Sequence, residues 1–421
     1  MNFGGLLPTA RVRRGNWIKR MGIAQLVLIL VSAGVALATE PEPQHVWVHY
    51  DYMVFPPGSV YAGGNAYPNG VSMEPSQAAI DMVVAAFAKR GLTLHIDPVH
   101  NAIPGHQVII PDFYPAWKNL SPACAGGPRY TGLVGPDAVS FLALKQQYFH
   151  PRSDHPWHYA IFGYSAALSF LASTGDGCPL DPFCGAPPDP TSPGISELPG
   201  FNFIVALGTF AENYGYQASD TTVGGLFMHE LGHNFGLEHG GVYPGQGCFA
   251  YKPNYISVMN YSYNIFGIPY AAVPGSTVPI GWRLDYSDFT GTTLNEADLD
   301  EFAGIGGPLS DTDIVIHCAS GPAGCSLYGP SAGPIDWNNN GVIEAHAQED
   351  IDGDDGFSKT TLYGFDDWTY VKQQLQLPPE VIDQLPKRPC TEPARPACRN
   401  LVCGNSTASI PFWGRSNGGR G

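Results

Sequence analysis

Apolar positions recur along the first half of the chain with two periods, and together they predict an ordered series of elements. Residues 75–90 (PSQAAIDMVVAAFAKR) repeat their apolar positions every three to four residues, behind Pro75 and Ser76 and ahead of Gly91. That is an amphipathic helix with its own start and stop signals. Residues 92–97 alternate as a strand, and residues 107–110 read as a short second one. Residues 136–148 (PDAVSFLALKQQY) predict a second helix, with Asp137 favouring its N-terminal end. Two more strands are expected at 158–163 and 203–207, rich in β-branched and aromatic residues. The last of these, taken as 202–207, is the expected cleft edge, where an extended peptide would pair by backbone hydrogen bonds. Asp220-Thr221-Thr222 offers an N-cap for the next helix, whose Gly224-Gly225 pair suggests close packing on the sheet. Beyond residue 239 the chain is loop-rich, with a short acidic helix expected at 295–302 and a closing helix at 366–377.

The helix that begins near residue 220 carries His229-Glu230-x-x-His233-x-x-Gly236-x-x-His239. Residues four apart share one helical face, so His229 and His233 are placed to grip one ion. Gly236 is suited to end the helix in a left-handed conformation and turn the chain, which returns His239 as a third ligand. Three imidazoles with a fourth position open to water describe a catalytic rather than a structural zinc site. Glu230, beside the first ligand, is placed to take a proton from that water. Chance assembly of this pattern is expected on the order of once in 10^5 chains of this length, so an ordinary helix is the poorer account.

These eleven residues resemble the zinc helix of the metzincin clan of endopeptidases, in the form seen in its reprolysin/adamalysin branch. That branch usually follows the third His with Asp, where this chain has Gly240. Ser257-Val258-Met259-Asn260-Tyr261 resembles the clan's Met-turn, in the form of its astacin and serralysin branches. The resemblance implies that Met259 floors the zinc site, a suitable task for a soft apolar side chain. It also implies that Tyr261 reaches the zinc or the developing oxyanion. The implied fold is α+β and two-lobed: a twisted mixed sheet with backing helices, a zinc-binding active-site helix, and a loop-rich C-terminal lobe beginning near residue 239. The implied activity is zinc-dependent endopeptidase action on proteins or peptides. Two other classes stay open: a catalytically silent zinc protein that binds peptides or surfaces, and a structural zinc module with a fourth protein ligand.

Composition sharpens the setting. Residues 1–38 read as an export signal. Arg11, Arg13, Arg14, Lys19 and Arg20 precede an apolar run at 23–35 and a small-residue cleavage site at Ala36-Leu37-Ala38. That run is short for spanning hydrocarbon, so a secreted protein without stable membrane association is expected. A net charge of −16 argues against nucleic-acid partners. Nine cysteines in an exported chain imply disulfides with one left over, and the pairs Cys178/Cys184 and Cys318/Cys325 bracket short loops.

A second site of interest runs from Asp336 to Glu344 (DWNNNGVIE). Asp336, Asn338, Asn340 and Glu344 stand at positions 1, 3, 5 and 9 of an EF-hand-type loop, with Gly341 at position 6. Position 12 is Ala347 rather than a bidentate Glu, and Asp350, Asp352 and Asp354 follow closely enough to supply carboxylates. A calcium loop over 336–355 and a solvated acidic turn are the two readings. The catalytic domain is taken as residues 39–377, and residues 378–421 as a Cys- and Pro-rich tail.

Overall fold

The longest strand, β1 (Gln44–Phe55), is one the sequence does not announce, because His45, His49 and Asp51 interrupt its apolar run. His45 stays exposed, and the structure buries His49 and Asp51 by pairing them internally. His49 Nδ1 meets Asp97 Oδ2 at 2.9 Å, its Nε2 meets Asp51 Oδ1 at 3.3 Å, and Tyr159 Oη donates to Asp51 Oδ2 at 2.8 Å. A buried charge is tolerated when it is paired and hydrogen-bonded, and a strand so equipped can lie mid-sheet. The computed structural model describes residues 44–60, 66–113, 138–151, 153–166, 193–208, 218–242, 249–306, 312–318, 325–331, 333–352 and 359–385. The expected signal at 1–38 lies outside the described residues, as do the tail from 386, Asp137, Asp354 and all cysteines except Cys318 and Cys325.

After β1 come β2 (Val71–Ser72), α1 (Gln77–Lys89), β3 (Leu92–Ile96), β4 (Ala102–Pro104), β5 (Val108–Ile110), β6 (Ala138–Ser140) and α2 (Phe141–Tyr148). Then follow β7 (Trp157–Gly163), β8 (Gly194–Ser196), β9 (Asn202–Ala206) and α3 (Asp220–Asn234). The fold is mixed α and β. Its seven-stranded sheet runs β8-β9-β7-β1-β2, with β3 and β4 also paired to β1. β3, β4 and β7 run parallel to β1, and β9 runs parallel to β7; β2 and β8 are antiparallel to their neighbours. Hence β9 is interior, not the edge expected of it. β8 covers it, and among the described residues β8 is the outer strand on that side.

Two helix boundaries also move. α2 starts at Phe141, not 136, because Ser140 Oγ accepts from Ala143 N and 138–140 pair with β5 instead. α3 is capped by Ser219, whose Oγ accepts from Thr222 N, so Asp220 opens the first turn rather than capping it. A carboxylate there still complements the helix dipole.

α1 and α3 cover one face of the sheet and α2 the other. Phe227 of α3 stacks on Phe203 and meets Phe162 edge-on, while Phe141 of α2 packs on Tyr159. Gly224 and Gly225 do pack closely, but not on the sheet. A Cβ at Gly224 would lie 3.0 Å from the Ala79 carbonyl of α1, and one at Gly225 would lie 2.3 Å from the Asn264 carbonyl.

The C-terminal half contributes a second buried cluster built on Tyr263, Leu299, Ile335, Trp337, Ile351 and Leu362. Hairpins β10–β11 (Ile268–Ala271, Pro279–Arg283) and β12–β13 (Ile314–Cys318, Cys325–Pro330) frame it, and the latter's register sets Cys318 opposite Cys325. α4 (Asp367–Gln374) returns to the first core through Trp368 and Val371, and α5 (Pro379–Gln384) follows it. No described helix is long and apolar enough to cross a membrane. The acidic helix expected at 295–302 is absent: its carboxylates turn inward to serve loop amides. Glu296 accepts from Ile351 N and Thr360 N, and Glu301 from Trp337 N and Glu344 N.

Candidate active site

α3 is buried through almost its whole length, and its C-terminal half carries the candidate chemistry. Gly236, at φ +92°, ends it: Leu237 N donates to Gly232 O at 3.0 Å and Gly236 N to His233 O at 2.8 Å. This paired closure requires a left-handed residue just past the cap, which glycine adopts without strain. The turn brings His239 back beside His229 and His233, with ring nitrogens of all three within 4.8 Å of one another. Nε2 of His229 and Nε2 of His233 are 3.2 Å apart.

The Nδ1 atoms of His229 and His233 are already engaged. His229 Nδ1 donates to Val258 O at 2.8 Å, and His233 Nδ1 to Leu237 O at 2.7 Å. Those bonds fix the tautomer and leave each Nε2 lone pair turned to the common point. Burial, reinforced by the neighbouring rings, holds His229 at about 3 and His239 well below its ordinary range; burial holds His233 near 4. Neutral imidazole is the ligand form, so the donor set fits a borderline-soft divalent ion such as zinc.

Glu230 is buried beside the first of these histidines, and its Oε2 has no hydrogen-bond partner among the described residues. Burial pushes its carboxyl well above the usual range. An orphaned carboxylate oxygen next to three convergent imidazoles is the arrangement a proton-accepting base needs. Strand β8 passes directly over it, and a Cβ on Gly194 would lie 2.2 Å from Glu230 Oε1. Any side chain at Gly194 would displace the Glu230 carboxylate.

Beneath the triad runs the turn 257–261. Met259 is fully buried, and its Sδ would lie 2.3 Å from a Cβ at Gly232, so the helix and the turn touch through a glycine. Asp367, at the start of α4, anchors the turn: Tyr255 Oη donates to it at 2.7 Å, Ser257 Oγ at 2.6 Å and Ser287 N at 3.1 Å. Asn260 Nδ2 donates to Lys252 O and Tyr255 O. Lys252, fully buried, gives its Nζ proton to Gly240 O at 2.6 Å, tying the chain just past His239 to the same turn. Tyr261 is 40 % exposed, with its ring centroid 4.3 Å from that of His239 and 5.8 Å from that of His229.

The acidic candidates divide into two places. In the 336–344 loop, Asp336 accepts from Asn340 N and Gly341 N, Asn340 Oδ1 accepts from Val342 N, and Asn338 Nδ2 and Asn340 Nδ2 donate to Glu344 Oε1. Asp350 and Asp352 do not join them. They gather instead with Glu296, all three buried, with carboxylate oxygens within 4.8 Å of one another. Sequence reading had missed Glu296, Asp367, Lys252 and Asn234. None stands in a spacing that marks a ligand; only the fold brings each to its partners.

A helix-borne His-Glu-x-x-His with a third His past a glycine turn, set under a mixed sheet, defines a metallopeptidase-like site. The family model described as Peptidase M66 matches residues 206–263, from the end of β9 through the triad to the turn beneath it, and supports a metallopeptidase family. No curated protein and no solved structure matches the chain.

Proposed function

We propose that this protein is a secreted zinc endopeptidase. One observation carries the reading: three neutral imidazoles converge, and the carboxylate of the residue next to the first of them keeps a buried oxygen with no hydrogen-bond partner among the described residues. His229, His233 and His239 would hold the metal. Zinc bound there supplies a Lewis acid for the scissile carbonyl and lowers the pKa of water toward neutrality. Glu230 takes the proton of the attacking water as the C–O bond forms, then delivers it to the leaving nitrogen as the C–N bond breaks. Tyr261, whose ring centroid lies 4.3 Å from that of His239, would donate its hydroxyl to the oxyanion. The substrate lies extended along β8, the strand that crosses Glu230, and not along β9.

The test is cleavage of casein by the mature chain, with and without a zinc chelator, beside Glu230→Ala. Chelator-sensitive cleavage that the variant lacks is expected. A zinc-loaded wild type that cleaves nothing would overturn the reading and favour a peptide-binding role.

A further inference from the structure

We propose that Asn234 is a positioning residue that fixes strand β8 against Glu230 and thereby makes the enzyme depend on extended substrates. The inference rests on the endopeptidase reading above and adds a determinant of which substrates it uses.

Asn234 follows the ligand His233 directly, yet it points the other way. Its side chain is 1 % exposed, and every polar atom on it is engaged. Nδ2 donates to Ser196 Oγ at 2.6 Å, Glu197 O at 3.0 Å and Asn202 O at 3.1 Å. Oδ1 faces His158 Nδ1 at 3.0 Å. Its backbone carbonyl accepts from Gly200 N at 3.1 Å. One residue of the metal-binding helix therefore grips both ends of the turn that joins β8 to β9, and the middle of that turn as well.

β8 is paired in register with β9, and the turn between them is also braced from within. Glu197 Oε2 accepts from Phe201 N, Asn202 N and Asn202 Nδ2, which closes the turn on itself, and Lys145 Nζ holds Asn202 Oδ1. Those bonds stabilise the turn and its junction with β9. The Asn234 bonds relate it to the helix that carries the base. The consequence shows at the strand's far end, where Gly194 lies against Glu230. If the turn and β8 moved away from the helix, a substrate paired to β8 would present its scissile bond away from Glu230. Misplacement of about 1 Å at a reacting centre is enough to cost on the order of a hundredfold.

A ligand-side or purely structural role would act on all substrates alike, and a positioning role would not. The experiment compares wild type, Asn234→Ala and Ser196→Ala on two substrates, an extended peptide of about eight residues and a blocked dipeptide spanning only the scissile bond. Bound zinc and the thermal midpoint are measured on the same samples. Ser196→Ala removes one acceptor of the clamp and leaves the helix intact, so it decides the matter should Asn234→Ala fail to fold. Both variants are expected to keep one zinc per chain and to lose about tenfold or more in kcat/KM on the extended peptide, while the dipeptide changes by less than about twofold. A parallel fall on both substrates, a loss of zinc in Ser196→Ala, or no change on either substrate would overturn the proposal. A wild type that cleaves neither substrate would instead bring down the endopeptidase reading itself, and this inference with it.

Discussion

The histidine triad and the 336–344 loop are the two places where the sequence offers ligand spacing, and the fold treats them differently. In the triad, His229 and His233 both donate from Nδ1, which leaves their Nε2 atoms to converge with a ring nitrogen of His239. In the loop, side-chain oxygens turn back on their own amides, and Asp350 and Asp352 leave it to join Glu296. Spacing on a helix is spacing in space, because the backbone is already fixed by its own hydrogen bonds. Spacing in a loop is not, because Asp and Asn side chains there compete for the nearest backbone N–H.

Four perturbations break or sharpen this contrast. The largest effect is expected at Glu230. Replacing it with alanine should lower cleavage by about 10^3-fold, within the range of general-base catalysis, while metal analysis still finds zinc. Next is Gly236→Val. A β-branched residue at φ +92°, with Tyr370 Oη only 3.1 Å from a Cβ there, should cost about 2 kcal/mol in urea unfolding and weaken zinc in a competition titration, because His239 loses its turn.

The third concerns pH. Burial pushes the Asp367 carboxyl up to about 7, against an unfolded value near 4. The folded protein then keeps a proton that the unfolded chain releases. That contribution to stability is complete below about pH 4, is lost as pH rises toward 7, and is level above it. The thermal midpoint should fall by about 5 °C between pH 5 and 8, and Asp367→Asn should flatten the profile. The smallest effect belongs to the loop: Asp336→Ala removes two local bonds, should cost about 1 kcal/mol, and should leave cleavage within about twofold.

Much of the site was legible because it is local. The cap region, the periodic face and the glycine stop of α3 all lie within about twenty residues, and α1 was readable for the same reason. β1 was not, because its buried polar residues are satisfied by Asp97, Asn101 and Tyr159, all distant in the chain. Residues 295–302 misled in the opposite sense. Their acidic pattern reads as a short helix, yet Glu296 and Glu301 are buried and satisfy amides more than thirty residues away.

The sequence by itself determined which atoms would be offered to a metal, which carboxylate would stand beside them, and where the helix had to stop, since those depend on helical geometry and on glycine's freedom at positive φ. Tertiary structure decided that β8 rather than β9 forms the outer strand, that Asn234 holds it over Glu230, and that Asp367 and Lys252 brace the turn beneath the triad. Those are contacts between segments far apart in the chain. They are selected by which buried polar groups each segment must satisfy, and no local pattern records that demand.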